Sequence, residues 1–238
     1  LSPSLSLTDT SYKNPQDLKV FAAGASNFAD PTALGPLPAV EVEVPTIANE
    51  LWAGEFALND EFTINNFREG LQGQGIVHLA THADFRSGNP EEIYIQFYDE
   101  KLRLNDIGEL DLNDPPLELL VLSACRTAVG DERVELGFAG LTVKAGVKSA
   151  LASLWSVEDT ATLALMSQFY QELNTAPIKA EAIRQAQLNL IQGKVRLEED
   201  EIITQRGSIS LPPDLSATTQ DITHPYYWSG FTMVGSPW

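Results

Sequence analysis

Two residues, His82 and Cys125, carry the side chains best suited to covalent chemistry, and each stands directly after an apolar run. The runs are residues 75–81 (GIVHLAT) and 117–124 (LELLVLSA). Runs without polar alternation read as central strands of a parallel sheet. Ligands of such sheets bind in the crevice beyond the carboxyl ends of the strands. If the two strands are neighbours, thiol and imidazole face one crevice. That pair suits acyl transfer, in which a thiolate attacks a carbonyl and the histidine manages protons. Taken singly, each residue is as much at home in a core, where a lone cysteine is commonly inert. The residues alone leave both readings open, a catalytic dyad or two structural side chains.

The other chemistry-bearing residues read as structural. His78 lies inside the first apolar run, as a core residue bonded to a neighbour; His224 precedes Pro225 in a turn. Gly73–Gln74–Gly75 precedes a strand and lacks a following lysine, so it is a turn rather than a phosphate loop. Asp99, Asp106, Asp111 and Asp114 lack calcium-loop spacing and suit turns or caps. Cys125 is the single cysteine, which excludes a disulfide framework and a cysteine-rich metal site. No metal or other cofactor is expected. A reducing, cytoplasmic setting is the natural expectation.

The elements that must position the pair follow from the pattern. Residues 18–23 (LKVFAA) read as a buried strand, and residues 55–58 as a brief one. Residues 39–52 look helical in their second half, with Pro45 in a first turn. Thr63 or Asn65 caps a helix through Leu71. Residues 93–104 alternate around Asp99–Glu100 as a hairpin does. Residues 126–136 form a charged loop and 138–145 a helix stopped by Gly146. Residues 149–155 make a third buried strand, and Asp159 caps a helix from Thr160 to Leu173. Leu163, Met166, Phe169, Tyr170 and Leu173 share its apolar face. Residues 180–191 are a further helix closed by Gly193, and 226–234 a final strand. Strands alternating with helices predict a three-layer α/β/α fold with a mostly parallel sheet.

The chain has 238 residues, enough for one large domain, here residues 18–238 behind a Ser/Pro/Thr-rich leader at 1–17. Residues 194–224, acidic and then rich in Ser, Thr and Pro, read as a mobile insertion. The formal net charge of -18 argues against nucleic acid, whose phosphates need clustered Lys and Arg. It favours basic partners or simply solubility. No apolar run approaches the roughly 18 residues that span a membrane.

Four segments, VHLATHADF (77–85), LLVLSACRTAVGD (119–131), GLTVKAGVKSALASLWSVED (140–159) and HPYYWSGFTMVG (224–235), together closely resemble CHAT domains. These are relatives of caspases and separase, usually found in bacteria behind tetratricopeptide repeats. The resemblance implies a caspase-like fold and a cysteine endopeptidase with His82 and Cys125 as the dyad. It implies an oxyanion hole from the backbone N–H groups of Ala83 and Cys125, each donor worth about 3 kcal/mol. It places Ser123 and the loop from Trp155 to Asp159 at the primary substrate pocket, with Asp84 close to the dyad. If Asp84, Glu158 or Asp159 reaches that pocket, a basic residue is preferred before the cut. It also implies a protein or peptide substrate and regulation by upstream repeats or a partner. The chain begins at Leu1 and is expected to be the C-terminal part of a longer protein. The residue after the histidine is usually glycine in the family and is Ala83 here. A catalytically silent scaffold that binds proteins is the alternative reading.

Overall fold

The computed structural model describes residues 11–30, 34–84, 93–103, 105–110, 116–123, 146–215 and 220–238. Cys125 and the loop and helix expected at 126–136 and 138–145 lie outside them. The strands are β1 (Val20–Gly24), β2 (Gly54–Leu58), β3 (Ile76–Ala80), β4 (Ala83–Asp84), β5 (Tyr94–Gln96) and β6 (Lys101–Arg103). They continue with β7 (Leu119–Leu122), β8 (Ser149–Ser153), β9 (Arg196–Glu198), β10 (Glu201–Thr204), β11 (Gly207–Ser210) and β12 (Phe231–Gly235). The central sheet has six strands in the order β12-β8-β7-β3-β1-β2. All neighbours run parallel except β12, which closes one edge antiparallel to β8. The fold is therefore mixed α/β with a mostly parallel sheet, consistent with a caspase-like architecture.

Helices cover both faces. They are α1 (Val40–Pro45), α2 (Ile64–Gly70), α3 (Asp159–Leu173) and α4 (Lys179–Ile191). Along β1, Val20 and Ala22 enter one apolar cluster with α1, α3 and α4. Phe21 and Ala23 enter the other, with Phe67 of α2 and Ile95 and Leu102 of the small β4-β5-β6 sheet. Successive residues thus face opposite layers, and a strand buried on both sides has no polar alternation to show. Phe62, Phe67 and Phe97 interlock in the second layer, with the Phe62 and Phe97 rings stacked at 4.4 Å. At the amino ends of the strands, buried Glu118 is met by Lys13 at 2.8 Å and Lys148 at 2.9 Å.

The structure departs from the sequence expectations at particular points. The helix expected in the second half of 39–52 begins at Val40, ahead of Pro45. Pro45 has no N–H to continue the α ladder, and the chain runs on as a wider turn over Thr46–Leu51. The residue that caps α3 is Glu158, whose carboxylate accepts the Thr160 and Ala161 N–H groups at 3.1 and 2.9 Å. Asp159, expected in that role, faces elsewhere. The segment 194–224, expected as a mobile insertion, folds in part as the three-stranded sheet β11-β10-β9. Leu197, Ile202 and Ile209 bury themselves in the first cluster. Residues 11–17 of the expected leader are anchored too, through Lys13 and a Tyr12 hydroxyl that donates to Pro177 O at 3.0 Å. Among the described residues no helix is long and apolar enough to cross a membrane.

Candidate functional site

The strands that carry His82 and Ser123 are direct neighbours. β3 pairs in parallel with β7, and the Ser123 N–H continues the ladder by donating to Leu79 O at 2.8 Å. Cys125 follows two residues later in sequence and lies outside the described residues.

His82 is pinned from several sides. Its carbonyl accepts the Gln96 N–H at 2.9 Å, which ties the end of β3 to the small sheet. Its ring lies against Phe28, with centroids 5.3 Å apart. Its Nε2 stands 2.8 Å from Gly35 O. A carbonyl only accepts, so that contact places a proton on Nε2. Ala83 pairs with Ile95 across β4 and β5. Antiparallel pairs alternate in hydrogen bonding, and the bond from Gln96 to His82 makes the next pair a non-bonded one. The Ala83 N–H is therefore directed away from β5. The Ala83 methyl packs into the second apolar cluster.

A cavity of about 250 Å³ opens at these strand ends. His82, Ser123, Ser153, Asp159, Thr162 and Phe231 line it, together with the segment from Gly35 to Leu37. Small-molecule sites usually measure roughly 300–1,000 Å³, so this one suits a single side chain. Of the residues expected at a substrate pocket, Ser123 and Asp159 line the cavity. Glu158 is spent on the helix cap. Trp155 donates its indole N–H to Tyr226 O at 2.9 Å and packs beside Gly230. Asp84 stands opposite Tyr94 in the small sheet.

Asp159 is the most perturbed acid of the site. Burial pushes its carboxyl up to about 7, and the nearby negative charges of Glu43 and Glu158 add to the rise. The Ala39 N–H, donating to Oδ2 at 2.8 Å, works in the opposite direction. A perturbed acid in a cleft is a recurrent mark of function.

Sequence reasoning missed Glu43. It lies on α1, is 1% exposed, and contacts both His78 and Ser123. The run VEVEV at 40–44 alternates two glutamates with valines, and nothing in it tells buried Glu43 from exposed Glu41. His78 and His224 stand as expected, one buried beside Tyr170, the other accepting the Tyr226 N–H in a turn.

Fold and site together define an α/β protein with a histidine-bearing crevice at the carboxyl ends of a parallel sheet. The CHAT domain family model matches residues 1–236, essentially the whole chain, and the protein belongs to that family of caspase-like peptidase relatives. No curated protein matches the chain.

Proposed function

We propose that the protein is a cysteine endopeptidase with Cys125 as nucleophile and His82 as its proton carrier. The observation that carries this reading is the shared cavity, where His82 after β3 meets Ser123 at the end of neighbouring β7, two residues before Cys125. The Cys125 thiol gives its proton to His82 Nδ1, and the thiolate adds to the scissile carbonyl carbon. The oxyanion is held by backbone N–H groups of Ala83 and Cys125. The direction of the Ala83 N–H, away from the β5 ladder, supports that role. As the tetrahedral adduct collapses, the C–N bond breaks and His82 returns the proton to the leaving amine. Water, deprotonated by His82, then cleaves the thioester and restores the thiol. Asp159 in the cavity supports a Lys or Arg before the cut, by charge complementarity.

The silent-scaffold reading draws on Ala83 in place of glycine. Its methyl is absorbed by the apolar cluster rather than the crevice, which favours the enzyme. Intact-mass measurement after incubation with peptidyl acyloxymethyl ketones tests it. The expected result is one adduct, absent in Cys125→Ala, weakened in His82→Ala and fastest with Arg or Lys probes. No adduct with any probe would sink the peptidase reading and leave the scaffold.

A further inference from the structure

Behind the cavity wall lies a chain of buried polar groups that the peptidase steps do not use. The Tyr170 hydroxyl is 3.3 Å from His78 Nδ1. His78 Nε2 is 3.0 Å from Glu43 Oε1. The two atoms are close without the geometry of a hydrogen bond. The same oxygen accepts the Ser123 hydroxyl. Glu43, His78, Ser123 and Tyr170 come from α1, β3, the end of β7 and α3, and none is more than 2% exposed. Burying a carboxylate is costly unless its partners compensate, so such a chain is an expensive way to fill a core.

The chain has a direction where it meets the cavity. A carboxylate only accepts, so Glu43 takes the single proton of the Ser123 hydroxyl. What Ser123 has left are lone pairs.

We propose that Glu43 is a specificity-determining residue of the cavity, acting through Ser123. It holds the Ser123 hydroxyl as a fixed acceptor, so the cavity admits side chains that donate hydrogen bonds and rejects those that only accept. A site built around an oriented polar group discriminates strongly, because the wrong guest leaves that group unpaired. The identity of the guest as a substrate side chain rests on the peptidase reading; the donor rule does not.

Calorimetric titration of the whole chain with butylguanidinium and with pentanoate, well above the pH at which Asp159 ionises so that its charge is the same with and without Glu43, tests the rule without turnover. The unsubstituted protein should bind butylguanidinium and exclude pentanoate. Glu43→Gln should narrow that preference at least tenfold, since Ser123 can then turn its proton toward the guest. In a Ser123→Ala background the same substitution should narrow nothing further. An equal loss in that background would mean that Glu43 acts through its field and not through the hydroxyl, and would overturn the proposal. So would an unchanged preference in Glu43→Gln, or binding of neither guest. Should Glu43→Gln fail to fold, as read by thermal unfolding, Ser123→Ala must narrow the preference at least tenfold, down to the share that Asp159 supplies, and Ser123→Thr must keep it whole. Guanidinium binding by this rule with no ketone adduct at Cys125 would overturn the peptidase reading alone. Adducts formed without regard to donors would overturn the donor rule alone.

Discussion

The Asp159 carboxylate, which lines the cavity, accepts the Ala39 N–H at 2.8 Å and so ties the start of α3 to the start of α1. Burial first, and then the charges of Glu43 and Glu158, hold its proton up to about 7. The charge of the cavity therefore changes near neutral pH. His82 is the other titratable side chain among the described residues lining it. The ratio of kcat/KM for an Arg substrate to that for a Leu substrate cancels the part of His82 in the chemistry, which both substrates share. That ratio should rise as pH climbs through about 7, and the rise should be much smaller in Asp159→Asn. A ratio independent of pH in the unsubstituted protein would remove Asp159 from the pocket's selectivity.

The same residue should set a pH-dependent stability. Its folded value, about 7, lies above the unfolded 3.8, so the folded state keeps a proton that the unfolded state releases. Stability is then greatest below the unfolded value and is lost as pH rises from about 4 to about 7. Asp159→Asn keeps an acceptor for Ala39 and carries no charge. It should match the unsubstituted protein near pH 4 and exceed it at pH 8 by on the order of 2–4 kcal/mol. Denaturant unfolding at both pH values checks this. Such a gain at the expense of selectivity would be a stability–activity trade-off.

Glu158, one residue earlier, should behave in the opposite way. It caps α3 through Thr160 and Ala161. Glu158→Ala should cost about 0.5–2 kcal/mol of stability. It should leave the high-pH plateau of the Arg/Leu ratio unchanged and move its midpoint to lower pH, because a charge that helps hold the Asp159 proton is gone. A changed plateau with unchanged unfolding would reassign it to the pocket.

His82→Ala should slow acylation of Cys125 by about 10²–10⁴-fold, the usual contribution of a positioned proton carrier. Stopped-flow reaction with the ketone probes measures it. The fold should be little affected, because the backbone bond from Gln96 to His82 remains. Equal rates in the two proteins would leave the imidazole without a part in the chemistry.

The β9-β10-β11 sheet is expected to unfold with the domain and not before it. Ile202 is fully buried in the first cluster. Ile202→Ala should lower global stability by about 2–5 kcal/mol. A local loss of protection in hydrogen exchange, with the global unfolding curve unmoved, would show this sheet to be a separate unit.

Much of the fold was legible because the signals are local. The runs that became β3, β7 and β8 are apolar on both faces, and Thr63 caps α2 as its hydroxyl chemistry predicts. The sheet at 196–210 was not legible, since strands of three or four residues with exposed charges give too short an alternation. Nor was the division of labour between Glu158 and Asp159. Both suit a helix start, and only the approach of α1 decides which carboxylate turns inward.

By itself the sequence determined that apolar strand runs stand directly before His82 and Cys125 and that the strands make a mostly parallel sheet. Strand ends and periodicity belong to stretches of a few residues, where sterics and burial act directly. Only the tertiary structure decided that β3 and β7 lie side by side, that Asp159 enters the cavity while Glu158 and Asp84 do not, and that Glu43 reaches Ser123 from 80 residues away. Those relations come from packing helices onto a twisted sheet, and burial selects them without leaving a pattern along the chain.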